Sequence, residues 1–265
     1  MRIENYLARI SYPDFDTLNI SNLFKLHQSH VYNIPFECLD IHLGIPITLN
    51  VESIYKKVVN YVRGGFCYEL NTLFNWLLNQ LGYESNLISA QIINNNEPGP
   101  DYDHMAIHVK YEGSNWLLDV GFGDLFVHPI EIKPDIVQFD GLNYFMVKHL
   151  GGETYSLLMS ATENHFKEKY RFKLSGVALE EFAEQCQLKQ TSEDSHFVKN
   201  LICTQPIAEG RKTVFNQKFL QRDSGGRHFF TFGSEIDLVS CLQKEFGIDI
   251  KKYQDRLADM FNYIL

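Results

Sequence analysis

The chain has 265 residues, with 45% hydrophobic and 22% charged, the composition of an ordinary globular protein. Its 33 acidic against 24 basic side chains give a net charge of −9, which argues against nucleic acid or an anionic membrane surface as a partner. Five cysteines at wide spacings, without a CxxC pair, exclude a disulfide framework and a zinc site and read as free thiols.

The start M-R-I-E-N-Y-L-A-R-I lacks the basic and apolar blocks of a signal peptide, and no apolar run reaches membrane-spanning length, so a cytoplasmic setting is expected. The first 80 or so residues read as helices. Leu18, Ile20, Leu23, Phe24 and Leu26 mark one over residues 16–30, and Val51, Ile54, Tyr55, Val58, Val59 and Val62 a second over 51–62. Arg63-Gly64-Gly65 breaks the pattern, and Phe66, Leu70, Leu73, Phe74, Leu77, Leu78 and Leu81 form a third stripe that Gly82 stops.

From about residue 83 the period becomes that of strands. Met105, Ile107, Val109 and Tyr111 alternate with polar or small residues, Glu112-Gly113-Ser114-Asn115 is a turn, and residues 116–120 return. Short strands are expected over 143–149, 154–159 and 167–174, and a short helix over 179–186. Two strand-like runs, R-K-T-V-F-N and R-H-F-F-T-F, flank the turn Ser224-Gly225-Gly226, and residues 235–265 are helical. Helices and strands segregate, which predicts an α+β fold. The expected divisions are 1–82, 83–190 and 191–265.

The segment R-G-G-F-C-Y-E-L-N, residues 63–71, places Cys67 at the start of the third helix, behind two glycines. Free N–H groups and the positive end of the helix dipole favour thiolate there. The competing reading is a small core residue. A nucleophilic cysteine needs a base, and the base an orienting acceptor. The hairpin over 103–121 offers His104, His108, Asp119 and Asp124. Asp119 sits between Leu118 and Val120 and needs a polar partner. A hairpin centred on Gly113-Ser114 would set Asp119 opposite His108; a bulge or a longer loop would change that, so spacing leaves the choice of histidine open. H-M-A-I-H is no metal motif, because residues four apart on a strand are about 13 Å apart.

R-G-G-F-C-Y-E-L-N, D-H-M-A-I-H-V and L-L-D-V-G-F-G-D, in this order, resemble the arylamine N-acetyltransferases. I-P-F-E-C-L upstream, with S-H-F-V-K-N-L-I-C-T and E-F-G-I-D-I downstream, extends the resemblance over nearly the whole chain. It implies an N-terminal helical bundle, a central β-barrel-like domain and a C-terminal α/β lid, with a Cys-His-Asp site as in cysteine-protease-like folds. It implies Cys67 as acyl acceptor, His104 rather than His108 as base, and Asp119 as orienting carboxylate. Phe36 and Phe122 match pocket aromatics, Gly121 and Gly123 match glycines of the coenzyme A cleft, and Glu37 and Arg63 match a structural ion pair. Acetyl-CoA as co-substrate, an aromatic amine or hydrazine as acceptor, no metal, and a monomer or homodimer follow as expectations. Two departures stand out: Cys38 replaces the usual Asn after P-F-E, and acidic Asp103 adjoins His104. Arg211, Lys212, Arg222 and Arg227 cluster near the C-terminus and read as a solvated strand face in preference to a phosphate site.

Overall fold

The computed structural model describes residues 1–264; Leu265, the last residue of the expected terminal helix, lies outside them. The first third is helical, with Ile3–Arg9, Ile20–Asn33, Val51–Tyr55 and Cys67–Leu81 as its main helices. The Asn19 side chain accepts from the N–H of Asn22 at 2.7 Å and so starts the second of these. The stripe over 51–62 is not one regular helix. After Tyr55 it widens into a π turn, Lys56–Asn60, which carries Lys57 to within 2.8 Å of both Asp40 and Glu69. Cys67–Leu81 ends as its sequence requires. Gly82 takes φ +97°, and the N–H groups of Gly82 and Tyr83 bond the carbonyls of Asn79 and Leu78.

The middle is an antiparallel nine-stranded sheet. Its order runs Ile130–Glu131, Ser114–Leu118, His104–Tyr111, Glu84–Asn94, Lys167–Lys173, Thr154–Ser160, Tyr144–Gly151 and Val137–Phe139, with Glu97–Pro98 beside Glu84–Asn94. The two edges approach each other. The Gln138 side chain accepts from Glu131 N and donates to Glu131 O, both at 2.8 Å, so the sheet is a nearly closed barrel. Strand alternation divides its residues between two cores. Ala106, with Ile88, Phe145, Leu157 and Tyr170, fills the barrel, whereas Met105, Ile107 and Val109 pack on the helices.

The C-terminal sheet has the order Phe36–Glu37, Ile202–Ile207, Gly210–Phe215, Lys218–Asp223, Gly226–Thr231. Three strands stand in residues 210–231 where two runs were expected. The unread one, K-F-L-Q-R-D, buries only Phe219, too little apolar surface to show a pattern. Helices Glu235–Phe246 and Gln254–Tyr263 cover this sheet through Leu238, Leu242, Phe246, Leu257 and Phe261. The parts interlock: Phe36–Glu37 belongs to the last sheet, and Phe182 and Cys186, beyond the barrel, join the helical core.

A buried ion network ties the helical third together. Arg63 Nε donates to Glu37 Oε1 at 2.9 Å and its Nη2 to Asp40 Oδ1 at 2.8 Å. Removing one member of such a network strands the others in low dielectric. Arg63→Ala is therefore expected to cost about 3–5 kcal/mol, seen as a lower urea midpoint with an unchanged slope. A cost under about 1 kcal/mol would mean that the network behaves as a surface one.

Candidate active site

Cys67 is the first residue of its helix and is buried. The turn is held by Glu69, whose Oε2 accepts from the N–H of Phe66 at 3.2 Å. The segment after strand Ser114–Leu118 crosses this helix end at Gly121. A Cβ there would lie 2.7 Å from Cys67 Cα, so no larger residue fits.

His104 begins the strand His104–Tyr111, and its Nε2 lies 2.7 Å from Asp119 Oδ2. That leaves Nδ1 as the ring nitrogen that Asp119 does not take, and Cys67 lines the same cavity as the ring. The ring packs edge-on to Phe122 at 5.1 Å and lies 5.5 Å from Tyr170. Burial disfavours the imidazolium, but the charge and hydrogen bond of Asp119, together with Cys67, outweigh it and hold His104 up at about 10. The other Asp119 oxygen accepts from Asn71 Nδ2 at 2.9 Å and Gly121 N at 3.0 Å. Asn71 also donates to Met105 O and accepts from Val120 N, so one helical side chain clasps both strand ends.

His108 stands elsewhere. The hairpin turn is Glu112-Gly113, with φ +47° and +83°, one residue earlier than the expected centre. That moves every cross-strand partner by two: His108 faces Leu117, and its ring bonds Asn115 Oδ1 at 2.8 Å. Of the sequence candidates, the structure brings Cys67, His104 and Asp119 together and leaves His108 and Asp124 out. Asp124 is instead 3.7 Å from Lys169.

Both departures are accommodated. Asp103 pairs with Lys189 of helix Ala183–Thr191. Cys38 accepts from Ile202 N at 3.2 Å, and burial pushes its thiol up to about 12. Burial likewise raises Cys186 and Cys241 to about 12, and Cys203 also moves up. Among the described residues, none of these four thiols lines the cavity that Cys67 and His104 share.

Cys67 and His104 line a cavity of about 520 Å³ with Phe36, Phe122 and Phe197; Gly121 and Gly123 form part of its wall. It adjoins a cleft of about 780 Å³, with which it shares Asp124, Arg211 and Thr213. The basic cluster divides here. Arg211 bonds the carbonyl of Gly123, and Lys212 that of Glu245. Arg222 and Arg227 face each other across their hairpin and are exposed, as a solvated strand face requires, and they line the cleft. Among the described residues, no group of three or more His, Cys, Asp and Glu side chains is placed to hold a metal, and no helix is long and apolar enough to cross a membrane.

Two supporting residues were not read from sequence. Asn71 had a signal, standing one turn after Cys67 on the same helix face. His27 had only its place in an apolar stripe. It lies 3.3 Å from Asp119 N.

A thiol at a helix start, sharing a cavity with a histidine that a buried carboxylate holds, is the arrangement of enzymes that form covalent acyl-cysteine intermediates. Comparison with known proteins narrows that class. The N-acetyltransferase family model matches residues 19–255. An arylamine N-acetyltransferase of Gallus gallus, the pineal gland isozyme NAT-3, is 30% identical over 95% of this chain and 96% of its own. The Escherichia coli arylamine N-acetyltransferase is 28% identical over 94% and 89%. The solved structure of the Mycobacterium marinum arylamine N-acetyltransferase in complex with CoA superposes with a TM-score of 0.90, at 25% identity over 99% of each chain. The chain belongs to the arylamine N-acetyltransferase family.

The His104–Asp119 pair makes stability depend on pH. The folded-state value of His104 stands above its ordinary 6.5, so its contribution is complete below about pH 6.5 and is lost as pH rises through about 10. The unfolding free energy, from urea titrations, is expected to fall across that interval, and to fall less in Asp119→Asn. A rise over the same interval in the native sequence would contradict the pairing.

Proposed function

We propose that the protein transfers an acetyl group from acetyl-CoA to the nitrogen of an arylamine, arylhydrazine or N-hydroxyarylamine, through an acetyl-Cys67 intermediate. The observation that carries this reading is the 2.7 Å pairing of His104 with Asp119 at the cavity that Cys67 also lines. In the first half-reaction, the Cys67 sulfur, as thiolate beside the His104 imidazolium, attacks the thioester carbonyl. The developing oxyanion is met by the N–H of Cys67, one of the first-turn donors that no helix carbonyl takes. The carbon–sulfur bond to coenzyme A breaks, and His104 gives its proton to the departing sulfur.

His104 is then neutral and serves as base. An arylamine is neutral at pH 7, and its lone pair attacks the acetyl-cysteine. His104 takes the amine proton, the bond to Cys67 breaks, and the thiolate–imidazolium pair is restored. One site used in turn by donor and acceptor gives ping-pong kinetics. Phe36, Phe122 and Phe197 supply an aromatic wall for the acceptor. Gly121 and Gly123 leave room for the pantetheine thioester, and Arg222 and Arg227 suit the phosphates of the donor. The Mycobacterium marinum complex supports coenzyme A as the donor class. Glu37 and Arg63 act only on the local structure. Five free thiols suit a reducing cytoplasm.

The test is incubation with acetyl-CoA and no acceptor, followed by intact and peptide mass spectrometry. One acetyl group on Cys67 is expected, discharged on adding an arylamine. His104→Ala should slow its formation about a hundred- to ten-thousand-fold, while His108→Ala keeps most of it. Hydrolysis of acetyl-CoA with no dependence on an amine would contradict the transferase reading. Equal loss in the two histidine variants would contradict the assignment of the base.

A further inference from the structure

His27 lies on the buried face of helix Ile20–Asn33 and has no part in the mechanism above. Its ring nevertheless bridges two backbone groups about a hundred residues along the chain. Nδ1 is 3.0 Å from Val127 O, and Nε2 is 3.3 Å from Asp119 N. A carbonyl only accepts and an amide N–H only donates, so a single tautomer serves both: neutral imidazole with its proton on Nδ1. Burial, which lowers the ring to about 4, agrees with a neutral His27. Phe126 stacks on the ring at 5.5 Å, and Phe74 meets it edge-on at 6.0 Å, so its plane is fixed.

The bridged groups are the two ends of residues 119–127, D-V-G-F-G-D-L-F-V. This segment has no ladder of its own, because the strand before it ends at Leu118 and the next begins at Ile130. It carries Asp119, the glycine that crosses the Cys67 helix and the cavity aromatic Phe122. Asn71 grips its near end and Asp140 Oδ2 its far end, accepting from Val127 N at 2.9 Å. Among the described residues, His27 is the side chain that holds both.

We propose that His27 is a positioning residue for the acyl-transfer reaction. It fixes the span of the 119–127 loop, and thereby where the Asp119 carboxylate meets His104 and where Phe122 lines the cavity. The inference rests on Asp119 being the orienting carboxylate proposed above. A flat ring with a donor on one side and an acceptor on the other suits the task.

The experiment is single-turnover acetylation of Cys67 by acetyl-CoA, with rates expressed per folded molecule, the folded fraction being taken from near-ultraviolet circular dichroism. His27→Phe keeps the ring and its apolar contacts and removes both hydrogen bonds. Its maximal acetylation rate is expected to fall about tenfold to a hundredfold, with the half-saturating acetyl-CoA concentration nearly unchanged. Asp119→Asn, run in parallel, should fall at least as far. A normal rate in folded His27→Phe beside a slow Asp119→Asn overturns the role of His27 and leaves the triad standing. A normal rate in Asp119→Asn overturns the triad reading itself. Nitrogen-15 spectra of the unaltered protein decide the matter even if the phenylalanine variant fails to fold. His27 should be a neutral Nδ1–H tautomer at neutral pH, and an imidazolium or an Nε2–H tautomer there would overturn the inference.

Discussion

A carboxylate buried between a helix and a barrel must have its oxygens occupied, because an unpaired charge in low dielectric costs far more than one fold can offset. Asp119, 2% exposed, is in that position. Its oxygens are taken by His104 from one strand, Asn71 from the Cys67 helix and Gly121 from its own loop. The partners come from three elements, so satisfying one carboxylate fixes how those elements meet. The same contacts set the His104 ring in the cavity that Cys67 lines. The site's geometry is thus a consequence of the rule that lets Asp119 be buried at all.

A second buried network lies behind the same helix end. Glu37, Asp40 and Glu69 share Lys57 and Arg63 in the interior. Such clusters add little stability relative to apolar packing and fail badly when one member is lost. Here the network has a local use. Glu69 caps the helix at Phe66, and Glu37 and Arg63 join the segments that flank the two glycines before Cys67. Cys67 therefore stands on a helix start held from both sides, by charge behind it and by the Asp119 loop in front.

Much of this was legible in the sequence because the signals were local. The stripe from Phe66 to Leu81 with Gly82 behind it could only be a helix stopped by a left-handed glycine. The alternation of Met105, Ile107 and Val109 gave the strand and its helix-facing side. What local signals left open was register. The type of the turn at Glu112-Gly113 decides whether Asp119 falls opposite His108, and a one-residue error in its centre moves Asp119 by two positions along the facing strand, away from His108. The resemblance chose His104, and the 2.7 Å contact with Asp119 agrees with it. The strand Lys218–Asp223 and the bridging role of His27 left no trace. The first buries too few side chains, and the second depends on a contact across a hundred residues that no local pattern encodes.

The central claim is that Asp119 holds His104 as an imidazolium beside the Cys67 sulfur. Nitrogen-15 spectra of histidine-labelled protein, followed through a pH titration, measure this directly. The account predicts that both ring nitrogens of His104 remain protonated well above neutrality, that the ring titrates near about 10, and that Asp119→Asn returns it toward its ordinary range near 6.5. A His104 already neutral at pH 7 in the unaltered protein, with a titration that Asp119→Asn leaves in place, would contradict it.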